Sequence, residues 1–171
     1  DILTNTKNMD IKASHLLFSF NRWEKMDDMY NTLLKEGKTI IVDRYAFSGI
    51  AYSVANGAPL EYCTVPDQGL LRPDLVIQLD MSIDEIKKRG GFGEEKYEKE
   101  EIQIKVQENY KLFHKKKYWN LVNASQSKES VHNQIIEIVK NLISRYSTNN
   151  HIEINDYPND IKKDLFMNND I

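Results

Sequence analysis

Apolar residues recur three and four positions apart between Asp10 and Glu36, which is the spacing of one face of a helix. Gly37 follows this stretch and predicts its end, because glycine is the preferred residue just beyond a helix C-terminus. Residues 39–43 then form a β-branched run that is too short for a helix and apolar on both faces. Such a run is typical of a strand in a parallel sheet that helices cover on both sides. The first 43 residues therefore predict a helix followed by a buried strand.

Helical spacing and short apolar runs alternate through the rest of the chain. The pattern predicts helices over residues 46–56, 60–65, 82–89, 94–115 and 127–146, and strands over residues 75–80 and 119–122. The helix after residue 81 opens with Ser82 and Glu85 at capping-box spacing. Alternating helices and apolar strands are typical of an α/β domain built on a parallel sheet.

The composition changes after Tyr146. Residues 147–171 are rich in Asn, Asp and Lys, so we expect a polar C-terminal tail with one short helix near residues 161–166. Residues 1–146 are expected to form the folded core. Three predicted strands are few for a parallel sheet, which suggests that part of the sheet is missing.

Composition and charge exclude several classes of function. The 171 residues, 40% of them hydrophobic, suit one folded domain. With 23 basic and 26 acidic residues the net charge is −3, so the chain has no strong positive field for coating DNA or RNA. The single cysteine, Cys63, excludes an internal disulfide framework and fits a reducing compartment, which we expect to be the cytoplasm, with the nucleus open. No apolar run approaches the ~20 residues of a membrane span, so no membrane partner is expected.

The richest candidate chemistry follows the predicted strand 39–43. Ligands of open α/β sheets bind beyond the carboxyl ends of the strands, and there the chain carries Asp43 and Arg44. A carboxylate at this position can hold Mg²⁺ directly or through water, while a guanidinium can bind a phosphate bidentately. The alternative is that Asp43 and Arg44 pair with each other or cap the following helix. Residues 37–39 (Gly-Lys-Thr) are not a phosphate-binding loop, because a helix precedes and a strand follows them, which reverses the required order.

Further side chains have both functional and structural interpretations. Phe18 and Arg22 lie four residues apart on the first predicted helix and share a face, so they can stack on a base and hydrogen-bond its edge. The alternative places Phe18 in the core and leaves Arg22 as a surface charge. Arg89 precedes the glycine-rich residues 90–93, which can close over phosphates or simply end a helix with a basic last turn. His15 has no metal-ligating partner at helical spacing and is interpreted as structural.

Several segments, taken together and in chain order, resemble the thymidylate kinases of the eukaryotic type, nucleoside monophosphate kinases that phosphorylate dTMP with ATP. The segments that carry the resemblance are His15–Glu24, Val42–Tyr52, Pro66–Leu70, Arg72–Leu75, Lys88–Glu98 and the turn Asn123–Ser125. The resemblance covers about residues 10–146, and the Asp-Arg-Tyr block joined to the Asn-Arg-Trp helix is its most specific part. It implies the P-loop nucleoside monophosphate kinase fold, a parallel sheet sandwiched by helices, and a role in dTTP biosynthesis.

The resemblance also implies a pocket for dTMP. The implied pocket residues are Phe18, Arg22, Arg44, Ser48, Gly49, Tyr52, Tyr97 and Gln103. Among them, Phe18 stacks on thymine, Arg22 hydrogen-bonds the base edge and Arg44 holds the phosphate. Tyr52 presses against the sugar and disfavours a 2′-hydroxyl group.

The same resemblance implies residues for the donor nucleotide and the metal. Arg89 lies across the adenine of ATP, with Ala124 and Ser125 on its other side. Asp43 orients Mg²⁺ through water, so Asp43 and Arg44 are the implied catalytic pair. Phosphoryl transfer depends mainly on positioning and charge neutralisation, which suits this set of residues.

The sequence departs from the family pattern in several places. The family opens with a strand, a phosphate-binding loop, a helix and a second strand, none of which is in this chain, so we expect that segment to lie before Asp1. Residues 1–171 alone are therefore expected to show no phosphotransfer activity. Asn123 stands where the family usually has Asp, and the lid lacks the basic cluster of the bacterial type.

The expected partner is a second copy of the chain, and two functions other than a thymidylate kinase remain open. The resemblance implies a homodimer packed through helices that include Leu16–Trp23, although the same apolar spacing serves a monomer core equally well. One alternative function is a deoxynucleoside kinase. A phosphate-binding Arg44 argues against it, because this role favours a monophosphate over a nucleoside as the acceptor. The other is a catalytically inactive, kinase-like protein that serves dimerisation or regulation.

Overall fold

The computed structural model describes residues 9–88, 99–148 and 165–166. The α-helices in these ranges are α1 (Ile11–Asp27), α2 (Ala46–Ala55), α3 (Leu60–Thr64), α4 (Ile83–Lys88), α5 (Glu100–Tyr110) and α6 (Lys128–Thr148), and the strands are β1 (Val76–Asp80) and β2 (Trp119–Asn123). They fall into two compact units, one with α1, α2, α3 and α5, the other with α4, α6 and both strands. The α/β class expected from the sequence is confirmed.

Residues close in sequence, Asp10 and Gly37, mark the start of helix α1 and the end of the helical segment that continues it. The Asp10 carboxylate caps it by accepting hydrogen bonds from the backbone N–H groups of Lys12 (2.9 Å) and Ala13 (3.3 Å). The helix continues into a π-helical stretch, Asp28–Leu34. It stops at Gly37, whose φ of +71° lies in the left-handed region that glycine adopts without strain. The predicted glycine stop is confirmed.

The buried face of α1 is not its most apolar face. The buried residues of this helix are Ser14, His15, Ser19 and Met26. In contrast, Leu16, Phe20 and Trp23 keep 45%, 66% and 41% of their surface exposed. Of the two roles that the apolar spacing left open, the described part of the chain therefore does not give Leu16 and Phe20 the core role.

Helix α2 forms the centre of the first unit because its small side chains let other helices approach. Ala51 and Ala55 pack against Val106 of α5 in a buried cluster. Asn109 of α5 donates from Nδ2 to the carbonyl oxygen of Ala51 at 2.9 Å, which ties the two helices together. Tyr45 precedes α2 and donates its hydroxyl to the Leu71 carbonyl at 3.1 Å. The predicted helix over residues 46–56 is confirmed.

Leu165 and Phe166 pack into the first unit although they belong to the segment expected to be polar. The Phe47 ring meets the rings of Phe113 and Phe166 edge-on, with centroid separations of 5.0 and 5.5 Å. The N–H of Leu165 donates to the Leu70 carbonyl at 3.2 Å. These two residues form a turn, whereas residues 161–164 of the predicted short helix lie outside the described residues.

The second unit is built on β1 and β2, which pair in parallel. Val76 lies opposite Trp119 and Asp80 opposite Asn123, so both strands end at the same edge. The Gln78 side-chain oxygen accepts a hydrogen bond from the Trp119 indole N–H at 3.0 Å. This side-chain bond between the two strands supports the same register. The predicted parallel sheet is confirmed for these two strands. Among the helices of the described ranges, none combines the length and the apolar character that crossing a membrane requires.

The strand predicted over residues 39–43 is wrong. The segment carries no strand or helix assignment, and Ile41 is 93% exposed. A strand forms by pairing its backbone with a neighbour, and no strand of the described ranges pairs with this segment. The β-branched residues favour an extended chain, but they do not by themselves supply the partner.

Candidate functional site

Arg22 of α1 forms a bidentate ion pair with Asp67. Its Nε donates to one carboxylate oxygen at 3.0 Å, and its Nη2 donates to the other at 2.6 Å. The Asp67 side chain is fully buried and the Arg22 side chain is 12% exposed, so water screens the pair little. Ser19 lies one turn before Arg22 and donates its hydroxyl to Oδ1 of Asp67 at 2.7 Å. Three hydrogen bonds from described residues therefore satisfy the buried carboxylate.

Asp67 is a site residue that sequence reasoning missed. It lies in the segment Pro66–Leu70 that carries the resemblance, yet no role followed from it there. Its partner Arg22 is 45 residues away, so no local pattern connects the two. The available signal was an acidic residue between a proline and Gly69, a combination of residues that is typical of a turn.

Gly49, on the first turn of α2, lies against the Arg22 guanidinium. A Cβ atom at this position would stand 3.3 Å from both Nη1 and Nη2 of Arg22, closer than side chains ordinarily pack. The absent side chain therefore lets the guanidinium approach α2. The alternative of Arg22 as an ordinary surface charge is wrong.

Arg44 has a backbone conformation that residues other than glycine rarely adopt. Its φ is +64°, a region in which a residue with a Cβ atom is strained by roughly 1–2 kcal/mol. Its Nε donates to the Ser48 hydroxyl at 3.1 Å, and its guanidinium carbon lies 4.8 Å from the centre of the Tyr52 ring. Arg44 is exposed, and no carboxylate in the described part of the chain forms an ion pair with it. Its positive charge is therefore uncompensated there.

The two guanidinium groups contact consecutive residues of α2. Arg44 bonds Ser48, and Arg22 lies against Gly49. Both residues belong to the first turn of the helix, where the helix dipole contributes partial positive charge. Tyr110 hydrogen-bonds Ser48, and burial raises the pKa of the Tyr110 hydroxyl, which keeps it neutral. This arrangement favours an anion such as a phosphate beside Arg44.

Three further residues of the implied dTMP pocket, Tyr52, Gln103 and Phe18, lie in the described part of the chain. Gln103 of α5 donates from Nε2 to the Tyr52 hydroxyl at 3.4 Å, so the structure brings these two residues together. Phe18 lies one turn before Arg22 and is 42% exposed, so the alternative of Phe18 as a core residue is wrong. Tyr97 lies outside the described residues.

Asp43 is exposed next to Arg44 but does not pair with it. Among the described residues, no hydrogen bond or ion pair of Asp43 is found. The N-cap of α2 is Tyr45 without a side-chain hydrogen bond, so Asp43 does not cap this helix. Both structural alternatives for Asp43 are therefore wrong. No three His, Cys, Asp or Glu side chains of the described ranges converge to form a metal site by themselves.

In the second unit, the turn after β2 meets the end of β1. The N–H of Ala124 donates to the Asp80 carbonyl at 2.8 Å. The Asn123 side-chain oxygen accepts from the N–H of Ser125 at 2.9 Å. An aspartate accepts the same bond, so Asn123 preserves this turn although it departs from the family pattern.

Glu85 connects α4 to the same turn. One of its carboxylate oxygens accepts from the hydroxyls of Ser82 (2.7 Å) and Ser125 (2.8 Å). These hydrogen bonds, the Ser82 bond foremost, lower the pKa of Glu85. The Glu85 N–H in turn donates to the Ser82 hydroxyl at 3.4 Å, which confirms the predicted capping box. Arg89, the other residue implied for ATP, lies outside the described residues.

His15 and Cys63 are buried, and their environment favours the neutral form of each side chain. The Nε2 of His15 lies 2.8 Å from the Cys63 carbonyl oxygen, and its Nδ1 lies 2.8 Å from the Ser53 hydroxyl. Because a carbonyl only accepts, Nε2 carries the proton and Nδ1 accepts from Ser53. Burial lowers the pKa of His15 and so keeps it neutral. Burial also raises the pKa of the Cys63 thiol to about 11, which disfavours the reactive thiolate.

Comparisons with known proteins agree on one family. A family model described as thymidylate kinase matches residues 1–135. Curated relatives include the thymidylate kinases of Dictyostelium discoideum (43% identical), Arabidopsis thaliana (44%) and Homo sapiens (39%). The alignments cover 80%, 80% and 78% of this chain, and 61%, 51% and 64% of those proteins. The chain thus spans about half to two thirds of the length of these curated relatives.

A solved structure gives the same result for the fold. The structure of thymidylate kinase from Candida albicans is similar to this chain with a TM-score of 0.73 and 33% sequence identity. The match covers 81% of this chain and 71% of that one.

Proposed function

Because this chain belongs to the thymidylate kinase family, we propose that the protein transfers a phosphate from ATP to dTMP and forms dTDP. The observation that carries the proposal is that Arg22 and Arg44 contact consecutive residues of α2. Arg44 bonds Ser48, and Arg22 lies against Gly49. A buried carboxylate cancels the charge of one guanidinium, whereas the other keeps its charge. A nucleoside monophosphate likewise has an uncharged end, the base, and an anionic end, the phosphate.

The phosphate of dTMP binds at Arg44 in this proposal. Its guanidinium is exposed, uncompensated in the described part of the chain and held beside the positive end of α2. The strained φ of Arg44 supports a functional role, because such strain persists where the surrounding structure enforces it. The Tyr52 ring, whose centre lies 4.8 Å from the guanidinium carbon, gives the Arg44 side chain a second contact.

The thymine base binds between Phe18 and Arg22. The exposed Phe18 ring supplies a stacking surface, and base stacking on an aromatic ring contributes about 1–3 kcal/mol. Arg22 has only hydrogen-bond donors, and thymine presents the O4 acceptor where cytosine presents an amino donor. Arg22 therefore favours a base with a carbonyl group at position 4.

The other pocket residues complete the acceptor and donor sites. Tyr52 contacts the sugar, and Gln103 holds the Tyr52 hydroxyl at 3.4 Å. Ser48 and Gly49 line the pocket, and Tyr97 completes it from the lid side. Arg89, Ala124 and Ser125 contact the adenine of ATP.

Mg²⁺ is the proposed metal, and Asp43 is the residue that fits it. The Asp43 carboxylate is exposed, and the described residues make no hydrogen bond or ion pair with it, so they leave its oxygens available. Mg²⁺ is commonly bound by one or two carboxylates together with substrate phosphates, which suits a site with a single acidic residue. When bound, the metal would neutralise charge on the phosphates. Asp43 would help to hold the metal through water, and Arg44 would position the acceptor phosphate.

The apolar side of α1 supports a homodimer as part of the proposal. Phe20 is 66% exposed and lies on the same surface as the exposed Leu16. Replacing Phe20 with Glu is expected to shift the sedimentation profile from dimer to monomer. An unchanged profile in the F20E protein, or a wild-type monomer, would contradict this part of the proposal.

The proposed cell compartment and chain organisation follow from the sequence. The single, buried Cys63 is consistent with the cytoplasm, with the nucleus as the alternative. Residues 1–146 form the proposed kinase core and residues 147–171 a C-terminal tail, of which Leu165 contacts the first unit through the backbone.

A coupled phosphotransfer assay with two acceptors tests the proposed function. The complete protein is expected to phosphorylate dTMP with ATP and to leave thymidine unchanged, because Arg44 requires an anionic group. Activity on thymidine but not on dTMP would favour the deoxynucleoside kinase. Absence of both activities, with intact dTMP binding, would favour the inactive relative.

A further inference from the structure

Among the described residues, Asp67 is the partner that accepts hydrogen bonds from the Arg22 guanidinium, on one side of it. Its Nε and one N–H of Nη2 are used by Asp67. Gly49 lies close to Nη1 and Nη2 on another side and blocks movement toward α2. The remaining donors, mainly those of Nη1, are therefore fixed in direction before any ligand arrives.

Asp67 also removes the attraction that an unpaired Arg22 would exert on a phosphate. The Asp67 side chain is fully buried and lies at ion-pair distance, 2.6 Å, so it cancels the guanidinium charge where screening is weak. In contrast, Arg44 bonds the uncharged hydroxyl of Ser48. The net charge of each arginine together with its partner therefore differs: Arg22 is paired with a carboxylate, whereas Arg44 is bonded to a neutral hydroxyl.

We propose that Asp67 is a positioning and specificity-determining residue for the acceptor base. It fixes the Arg22 guanidinium and cancels its charge, so that Arg22 donates to an uncharged base with a carbonyl group and does not compete with Arg44 for the phosphate. The inference rests on the proposed function, since it assigns the base of dTMP to Arg22. Asp67 itself does not contact the substrate.

Replacing Asp67 with Asn tests this role in the complete protein. The amide keeps the size of the side chain but removes its charge and turns one acceptor atom into a donor that faces Arg22. We expect the KM for dTMP to rise about tenfold or more while kcat changes less than about threefold. We also expect the preference for dTMP over dCMP, measured as the ratio of kcat/KM values, to fall about fivefold or more. A purely structural role would lower the amount of active enzyme without changing KM or this preference.

Glu108→Gln is the matched control. It also replaces a carboxylate in an ion pair, with Lys111, but both side chains are more than half exposed. We expect wild-type values for both KM and the dTMP preference. A change in KM equal to that of D67N would overturn the proposal, because it would show a general effect of lost acidic charge.

Ser19→Ala keeps the proposal testable if D67N does not fold. It removes one of the three donors to Asp67 and leaves the ion pair in place. We expect a rise of about two- to threefold in the KM for dTMP with unchanged kcat. If D67N folds, a wild-type KM in D67N overturns the proposal; if it does not fold, a wild-type KM in S19A does so.

Direct binding of dTMP, measured by calorimetry, distinguishes a failure of the Asp67 role from a failure of the proposed function. Wild-type protein that binds dTMP, together with D67N protein that binds it equally well, contradicts the role of Asp67 alone. Wild-type protein that does not bind dTMP contradicts the proposed function and, with it, this inference.

Discussion

Two regions of the first unit each contain an arginine, one paired with a carboxylate and the other bonded to neutral groups. The Arg22 region (His15, Ser19, Arg22, Asp67) is buried, and its guanidinium is paired with a carboxylate. The Arg44 region (Arg44, Ser48, Tyr52) is more open, and its guanidinium rests on a hydroxyl and an aromatic ring. Because the two arginines contact neighbouring residues of α2, the difference arises from their partners and not from their distance to the helix.

The comparison shows how one residue type can serve two ends of the same ligand. A paired and immobile guanidinium offers direction without net charge, which suits hydrogen bonds to a base. An unpaired guanidinium near a helix N-terminus offers charge, which suits a phosphate. Substitutions in the two regions should therefore have different effects on folding and on the binding of dTMP.

The largest expected effect is the loss of folding stability when the buried pair is broken. Arg22→Met leaves Asp67 buried without its counter-charge, so the free energy of unfolding should fall by about 3–5 kcal/mol. Urea denaturation measures this change. Lys111→Met breaks an exposed pair and should lower the same quantity by less than about 1 kcal/mol. Equal decreases in the free energy of unfolding for the two variants would show that the Arg22–Asp67 pair stabilises the fold no more than the exposed pair does.

Arg44→Gln should give the next largest effect, on catalysis and not on folding. Loss of charge-assisted hydrogen bonds to the phosphate should lower kcat/KM for dTMP roughly 100-fold, which corresponds to about 3 kcal/mol. The free energy of unfolding should change by less than about 0.5 kcal/mol, because Arg44 is exposed. Steady-state kinetics with dTMP and urea denaturation check both parts. Wild-type kcat/KM in this variant would contradict the phosphate assignment.

Acid should weaken the Arg22 region through His15. Burial lowers the pKa of His15 in the folded protein, while the nearby charges of Asp67 and Arg22 act in opposite directions. As pH falls below about 6.5, the unfolded chain therefore binds the proton more readily, and stability decreases by at most about 1.4 kcal/mol per pH unit. Urea denaturation at pH 7.5 and 5.5 should show a smaller decrease in His15→Gln than in the wild type. His132→Gln, at an exposed position, should behave as the wild type. An identical decrease in H15Q would contradict this assignment.

The smallest expected effect is that of the hydroxyl that holds Arg44. Ser48→Ala removes the acceptor of its Nε, and loss of one such bond costs about 1 kcal/mol, or roughly fivefold in the KM for dTMP. Ser53→Ala is a control on the same helix, since Ser53 is equally buried but bonds His15. It should lower stability and leave the KM unchanged. Equal KM values for the two variants would show that Ser48 does not position Arg44.

Features that depend on nearby residues could be predicted from the sequence. Gly37 ends its helix, and Ser82 with Glu85 forms the predicted capping box, because these signals act within a few residues. The four-residue spacing of Phe18 and Arg22 correctly placed them on one side of α1.

Features that depend on distant residues could not be predicted in the same way. Residues 39–43 have the composition of a strand, but pairing decides whether a strand forms. Asp67 carries no local mark of its role, because its partner lies 45 residues earlier. The buried face of α1 was also hidden, since Ser19 is stabilised there by its hydrogen bond to Asp67. In each case a non-local contact outweighs the local pattern.

The central claim is that Arg44 binds the phosphate and Arg22 the base. Calorimetry with dTMP and thymidine tests it in the complete protein, using Arg44→Gln and the paired variant Arg22→Met with Asp67→Leu, which leaves no buried charge uncompensated. Arg44→Gln should nearly abolish the advantage of dTMP over thymidine. The paired variant should weaken the binding of both ligands and leave their ratio unchanged. The opposite result, with the ratio lost in the paired variant and kept in Arg44→Gln, would contradict the account.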